Sequence, residues 1–218
     1  MGLFITFEGI DGSGKSTQVR LLAERLQGSS SPVLVTREPG GTRIGEQIRE
    51  QILAPTHQEM AATTEVLLFS AARAQIVAEV IRPHLERGGI VLCDRFADST
   101  YSYQGYGRGQ DLQTLRSITQ IATDGLNPDH TIFLDLPVAA ALQRKQRAAA
   151  TDEWNRLDAE AVAFHERVRA GYHALIDEEP ARWLAFDAQI DPHQLASQIW
   201  QRIEPFVEQC AHYEKSTT

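Results

Sequence analysis

An α/β fold, with a parallel sheet of five strands flanked by helices, is the class this 218-residue chain predicts, on three observations. Short apolar runs bounded by turns recur at Leu3–Phe7, Val33–Thr36, Ile90–Cys93, Thr131–Leu134 and Trp183–Phe186. Helix-spaced patterns separate them, over Thr17–Leu26, Ile44–Leu53, Thr64–Arg87, Leu112–Ala122, Val138–Arg147, Asp158–Ile176 and Pro192–Gln209. The first apolar run leads through a glycine-rich turn straight into a helix. Such sheets gather ligands at the carboxyl ends of their strands, so the polar residues after each strand are expected to share one crevice. These are Asp11–Ser16, Arg37-Glu38, Asp94-Arg95, the segment after Asp135, and Asp187. Neither repeats nor a linker divide the chain, so one domain over residues 1–218 is expected, ending in a polar, frayed tail from His212.

Taking the elements in order, the turn after the first strand reads Gly9-Ile10-Asp11-Gly12-Ser13-Gly14-Lys15-Ser16. This is a complete G-x-x-x-x-G-K-[ST] loop, and Val19, Leu21, Leu22 and Leu26 begin the helix behind it. Successive backbone N–H groups at a helix N-terminus cradle a polyphosphate, and the helix dipole favours its charge. Lys15 reaches the β- and γ-phosphates in such a loop, and the Ser16 hydroxyl joins a Mg²⁺ shell. With the parallel sheet, the loop predicts a three-layer phosphate-loop (P-loop) NTPase fold and a nucleoside triphosphate ligand.

The second strand is followed by Thr36-Arg37-Glu38-Pro39-Gly40-Gly41-Thr42, by itself a turn with solvated charges. In the long helical pattern from Thr64, Phe69 and Arg73 stand four apart and share a face. An aromatic plane beside a bidentate donor suits a nucleobase; a core phenylalanine with a snorkelling arginine is the other reading of that spacing. Asp94 ends the third strand, where an acidic residue either holds Mg²⁺ through water or caps the next helix. Arg95 beside it suits charge that builds as two polyanions approach. The segment Asp98–Arg108 concentrates tyrosines, amides and hydroxyls, fit for a sugar and base, for an interface, or for a glycine-rich loop with no role. Arg144, Lys145, Arg147 and Arg156 surround a run of alanines, either complementing a helix dipole or forming a small arginine-rich lid at about residues 143–156 that closes over a triphosphate.

Composition narrows the partners. With 21 basic against 29 acidic residues the formal charge is −8, which offers no field for nucleic acid or an anionic membrane. No apolar run approaches membrane-spanning length, and no basic leader precedes the first strand. The 2 cysteines, Cys93 and Cys210, are far apart and imply no disulfide framework, so a cytoplasmic location is expected. No Asn precedes any of the lysines Lys15, Lys145 and Lys215, so a GTPase Asn-Lys-x-Asp motif is absent.

Together Gly9–Thr17, Thr36–Thr42, Leu68–Gln75 (LFSAARAQ), Asp94–Thr100 (DRFADST) and Tyr103–Gly109 (YQGYGRG) resemble the bacterial thymidylate kinases, over nearly the whole chain. The resemblance implies transfer of the ATP γ-phosphoryl group to dTMP by a homodimer with Mg²⁺. The implied ATP-binding residues are Gly9, Ile10, Asp11, Gly12, Ser13, Gly14, Lys15, Ser16 and Thr17. The implied acceptor-binding residues are Glu38, Pro39, Arg49, Phe69, Arg73, Arg95, Thr100, Tyr103 and Gln104, with Phe69 stacking on thymine, Arg73 bonded to it, and Tyr103 crowding the sugar 2′ position. Lys15, Arg95, Asp11, Arg144 and Arg147 are the implied catalytic set, and Ser16 with Asp94 the metal set. The loop carries no arginine, so the resemblance places the catalytic arginine in the lid. The lid departs from the family pattern: it ends Asn155-Arg156-Leu157-Asp158 where an Asp-Arg pair followed by Glu is common. Kinases for other pyrimidine deoxynucleotides and a P-loop ATPase acting on a protein partner are the alternatives.

Overall fold

A computed structural model of the chain describes residues 2–148 and 156–215. Five strands, β1 (Leu3–Glu8), β2 (Val33–Arg37), β3 (Ile90–Asp94), β4 (His130–Asp135) and β5 (Trp183–Asp187), form one parallel sheet in the order β2-β3-β1-β4-β5. Each strand runs one residue past the carboxyl end of its apolar run, because a polar residue there still pairs: Arg37 lies opposite Asp94, and Asp135 opposite Asp187, while β4 also begins one residue early, at His130. β1 sits centrally and every one of its residues is buried, whereas edge strand β2 is partly exposed. Alternation along β1 divides the core. Leu3, Ile5 and Phe7 join one apolar cluster with Val19, Leu22, Ile199 and Ile203, while Phe4 packs with Ile76, Ile81, Val91 and Phe96 on the other face.

The helices are α1 (Lys15–Arg25), α2 (Arg43–Leu53), α3 (Ala62–Ile76), α4 (Arg82–Glu86), α5 (Ala97–Thr100), α6 (Leu112–Thr123), α7 (Val138–Ala148), α8 (Val162–Glu178) and α9 (Pro192–Lys215). Three differ from expectation. The single helix expected over Thr64–Arg87 is interrupted by a π-helical turn at Val77–Ile81, just before Pro83, whose ring and missing N–H disturb the regular ladder. The polar-aromatic segment after Arg95 is not a loop: α5 continues through a π-helical turn at Tyr101–Gly107. The C-terminal helix passes His212 and reaches Lys215 instead of fraying there.

The chain leaves β1 towards β2 and β3 on one side and returns to β4 and β5 on the other, so the sheet reverses direction at β1. The crevice at such a switch point, beyond the ends of β1 and β3, is where the glycine loop and Asp94-Arg95 emerge.

Candidate active site

The glycine loop wraps the N-terminus of α1. Gly14, the residue before the helix, has φ 94°, a left-handed conformation that costs glycine least, and no side chain caps the helix there. Its first N–H groups are thereby left to a ligand. At Gly9 (φ 142°) an added Cβ would lie 2.7 Å from the Leu134 carbonyl oxygen, so no other residue fits without displacing β4. Lys15 is buried, and its Nζ donates to the carbonyls of Gly9 (3.1 Å) and Ile10 (3.0 Å), bracing the loop. Burial and the nearby Arg95 charge bring its ammonium down to about 8.

A cavity of about 470 Å³ opens over this loop, lined by Gly12, Gly14, Lys15, Ser16, Thr17 and Arg144, among others. Gly9, Ile10 and Ser13 stand behind that wall; Ile10 is part of the core. Ser16 Oγ donates to Asp94 Oδ2 at 2.6 Å. Two hard oxygens at the mouth of a phosphate loop fit Mg²⁺, which keeps several waters and takes few protein ligands. Among the described residues no group of three or more His, Cys, Asp or Glu side chains could hold a metal.

A second recess adjoins the first, lined by Pro39, Leu53, Phe69, Leu157, Ser99, Thr100, Tyr103 and Gln104. Asp11, Glu38, Arg49 and Arg95 line both. Arg95 stands at this junction with φ 72°, a strained conformation for a non-glycine residue. Both terminal nitrogens of its guanidinium are engaged. It donates to Gly9 O (3.0 Å), Ser99 Oγ (3.1 Å), Tyr172 Oη (3.4 Å), Tyr103 Oη (3.1 Å) and Asp11 Oδ1 (2.7 Å). Burial raises a carboxyl, yet the Arg95 guanidinium, with Lys15 and Lys145, holds Asp11 far below the usual carboxylate range. Tyr103, whose phenol burial keeps protonated, donates to the other Asp11 oxygen at 3.3 Å.

The Phe69/Arg73 pair resolves opposite to the snorkelling reading. Phe69 is the half-buried member and lines the second recess, while Arg73 is 1% exposed and lies behind its wall. Arg73 donates Nε to Glu38 Oε2 (2.8 Å) and Nη2 to Thr100 Oγ1 (3.0 Å) and Phe96 O (3.1 Å). Among the described residues its Nη1 and the Glu38 Oε1 have no partner, a costly state for buried polar atoms. Burial pushes the Glu38 carboxyl up to about 7, against the pull of Arg73. Arg49 donates to the Pro39 carbonyl at 2.9 Å, positioning α2 against the Glu38–Pro39 turn.

Not every expected residue arrives. Arg147 is exposed and lies outside both recesses, about one turn further along α7 than Arg144, which lines the first cavity and donates to Ala188 O at 2.9 Å. Asp187 bonds the Gln189 backbone within its own turn, and Asp135 is held by Arg169 at 2.7 Å, so neither lines the crevice. Arg156, grouped with the lid cations by sequence, turns inward to Glu65. The centre of the expected lid, residues 149–155, lies outside the described residues.

Several residues of the site escaped sequence reasoning. Glu8 ends β1 fully buried and accepts from Phe96 N (2.8 Å), Ser99 Oγ (2.6 Å) and Tyr172 Oη (2.8 Å), so it orders the partners of Arg95. A charged residue closing an apolar strand before a glycine loop was its available signal; Tyr172, on α8, had none. Ser99 and Leu157 lie inside quoted segments but had no role assigned there, and Leu53 ends a helical pattern with no further signal.

Known proteins agree with this architecture. A family model described as "Thymidylate kinase" matches residues 7–199. A thymidylate kinase of Roseiflexus sp. (strain RS-1) is 57% identical, with 95% of this chain and 96% of that protein covered. One from Herpetosiphon aurantiacus is 50% identical over 94% of this chain and 96% of its own length. The crystal structure of thymidylate kinase from Ehrlichia chaffeensis superposes with a TM-score of 0.76 at 31% identity, covering 93% of this chain and 98% of that one. The chain belongs to the thymidylate kinase family.

Proposed function

We propose that the protein transfers the γ-phosphoryl group of ATP to the 5′-phosphate of dTMP, giving dTDP and ADP. The observation that carries this reading is the meeting of a phosphate-loop cavity and an aromatic-walled recess at Asp11, Glu38, Arg49 and Arg95. Two anionic substrates laid in these recesses bring their phosphates together there. An acceptor phosphate oxygen forms the new bond to the γ-phosphorus as the bond to the β,γ-bridging oxygen breaks. The acceptor oxygen is already anionic, so no strong base is needed; the protein positions the groups and neutralises charge. Lys15 and the loop N–H groups bind the donor, Arg95 and Arg49 the acceptor phosphate, and Phe69, Arg73, Thr100 and Gln104 the base. Mg²⁺, held beside Ser16 and Asp94, would screen the donor phosphates.

Arg144 is the better placed of the two lid arginines. Arg144→Ala is expected to lower kcat by about tenfold to a hundredfold with little change in the KM for dTMP, and Arg147→Ala to do much less. Steady-state kinetics on both variants, with ATP and dTMP varied in turn, checks the order; the reverse order moves the role to Arg147. A homodimer through α3 and α6 is part of this reading, supported by Leu67 (53% exposed) and Ile121 (83% exposed) on those helices. Light scattering of the purified chain tests it. A cytoplasmic setting is supported by the two cysteines, buried thiols at Cys93 and Cys210 whose Sγ atoms donate to the carbonyls of Arg95 and Gly88. Among the described residues no helix is long and apolar enough to cross a membrane.

ADP release from ATP and Mg²⁺ with dTMP, dUMP, UMP, dCMP, thymidine or no acceptor tests the reaction. Strong turnover with dTMP is expected; acceptor-independent release would make the protein an ATPase.

A further inference from the structure

Glu65 lies in the first turn of α3, one turn before Phe69, and is 1% exposed. It does not line the acceptor recess, yet it gathers the segments that do. Gln104 donates Nε2 to Glu65 Oε1 at 2.8 Å. Arg108 donates Nε at 2.7 Å and Nη2 at 3.1 Å, and Arg156 donates Nη2 to Oε2. Arg156 Nε also reaches the Ile52 carbonyl at 3.2 Å. Ile52 and Arg156 immediately precede Leu53 and Leu157, which wall the recess. Burial raises a carboxyl, but the donors from Arg108, Gln104 and Arg156 outweigh it and hold Glu65 below its ordinary value. It is a carboxylate at neutral pH.

A carboxylate can only accept hydrogen bonds. The Gln104 amide, which lines the recess, therefore has one orientation available, with Nε2 towards Glu65 and Oε1 as its remaining polar atom. We propose that Glu65 is a positioning residue for base selection: by fixing Nε2 of Gln104 it offers Oε1 to the base as an acceptor. That polarity matches the N3–H donor of thymine and uracil and opposes the unprotonated N3 of cytosine. Arg73, donor-only and with Nη1 unpartnered among the described residues, sets the matching polarity beside it, towards a carbonyl rather than an amino group. The inference rests on the dTMP reading of the recess.

The test compares kcat/KM for dTMP, dUMP and dCMP in the full-length wild-type protein, Glu65→Gln and Glu65→Asp. A glutamine at 65 both donates and accepts, so the Gln104 amide is released to turn. The dTMP:dCMP ratio is expected to fall by about tenfold or more in Glu65→Gln, with the dTMP:dUMP ratio unchanged, because those two bases differ only by a methyl group. Glu65→Asp, still acceptor-only, keeps the wild-type dTMP:dCMP ratio. A residue that merely holds the fold together would lower all three acceptors alike, and an unchanged dTMP:dCMP ratio in Glu65→Gln overturns the proposal. Wild-type protein that fails to use dTMP would overturn the acceptor assignment itself, a separate outcome. If Glu65→Gln does not fold, side-chain amide exchange in wild type carries the question. One proton of the Gln104 NH₂ pair, assigned by its loss in Gln104→Leu, is expected to exchange slowly; free exchange of both overturns the proposal.

Discussion

Lys15→Met slows phosphoryl transfer by about a thousandfold while the protein still melts cooperatively. The methionine keeps most of the apolar stem in a buried position but removes the only lysine ammonium within the loop. In the free protein that ammonium braces the carbonyls of Gly9 and Ile10, contacts it must exchange for the donor phosphates. The loop amides remain, so ATP still binds and the loss falls mainly on kcat. The same group sets a pH limit. With its value brought down to about 8, Lys15 is charged at neutral pH and loses that charge in the free protein as pH rises through about 8. The kcat/KM for ATP therefore declines on the alkaline side, and that limb disappears in Lys15→Met. A variant with wild-type kcat would remove Lys15 from the mechanism.

Arg73→Met raises the KM for dTMP by about a hundredfold and destabilises the fold by about 3–5 kcal/mol, because Glu38 then stays buried without its cation. The pair is among the most enclosed in the molecule, with Arg73 at 1% and Glu38 at 4% side-chain exposure. The pH dependence has a definite sign. Burial already raises Glu38 to about 7 in the folded protein, above its ordinary 4.5, and losing Arg73 raises it further. A carboxyl raised on folding favours the folded state while protonated, so stability is fullest below about 4.5 and is lost as pH climbs through the folded value. The variant should thus melt closer to wild type at pH 6 than at pH 8. Adding Glu38→Gln should restore stability but not dTMP binding. Thermal melts at the two pH values and acceptor kinetics separate the effects; an unchanged KM would remove Arg73 from base recognition.

The strands, the phosphate loop and the order of elements were legible because each rests on local signals: buried apolar runs, glycine spacing and a helix start. The meeting of Ser16 and Asp94 at 2.6 Å was legible for the same reason, one in the loop and one at a strand tip. What local signals could not carry was direction and partnership. Spacing put Phe69 and Arg73 on one face but could not say that the arginine is the buried member, since Glu38 lies 35 residues away. The polar-aromatic stretch after Arg95 reads as a loop from its glycines and tyrosines, yet packing against α8 makes it helical, with Gly107 close against Phe164 and Val168. Arg156 resembles its cationic neighbours in sequence; only the fold brings it to Glu65, 91 residues distant.

Incubating ATP labelled at its γ-phosphate with dTMP and Mg²⁺, and locating the label in the products, shows whether the phosphoryl group passes to the acceptor. Label is expected at the β-phosphate of dTDP, with none released in the absence of acceptor. Label in inorganic phosphate, at the same rate with or without dTMP, would contradict it.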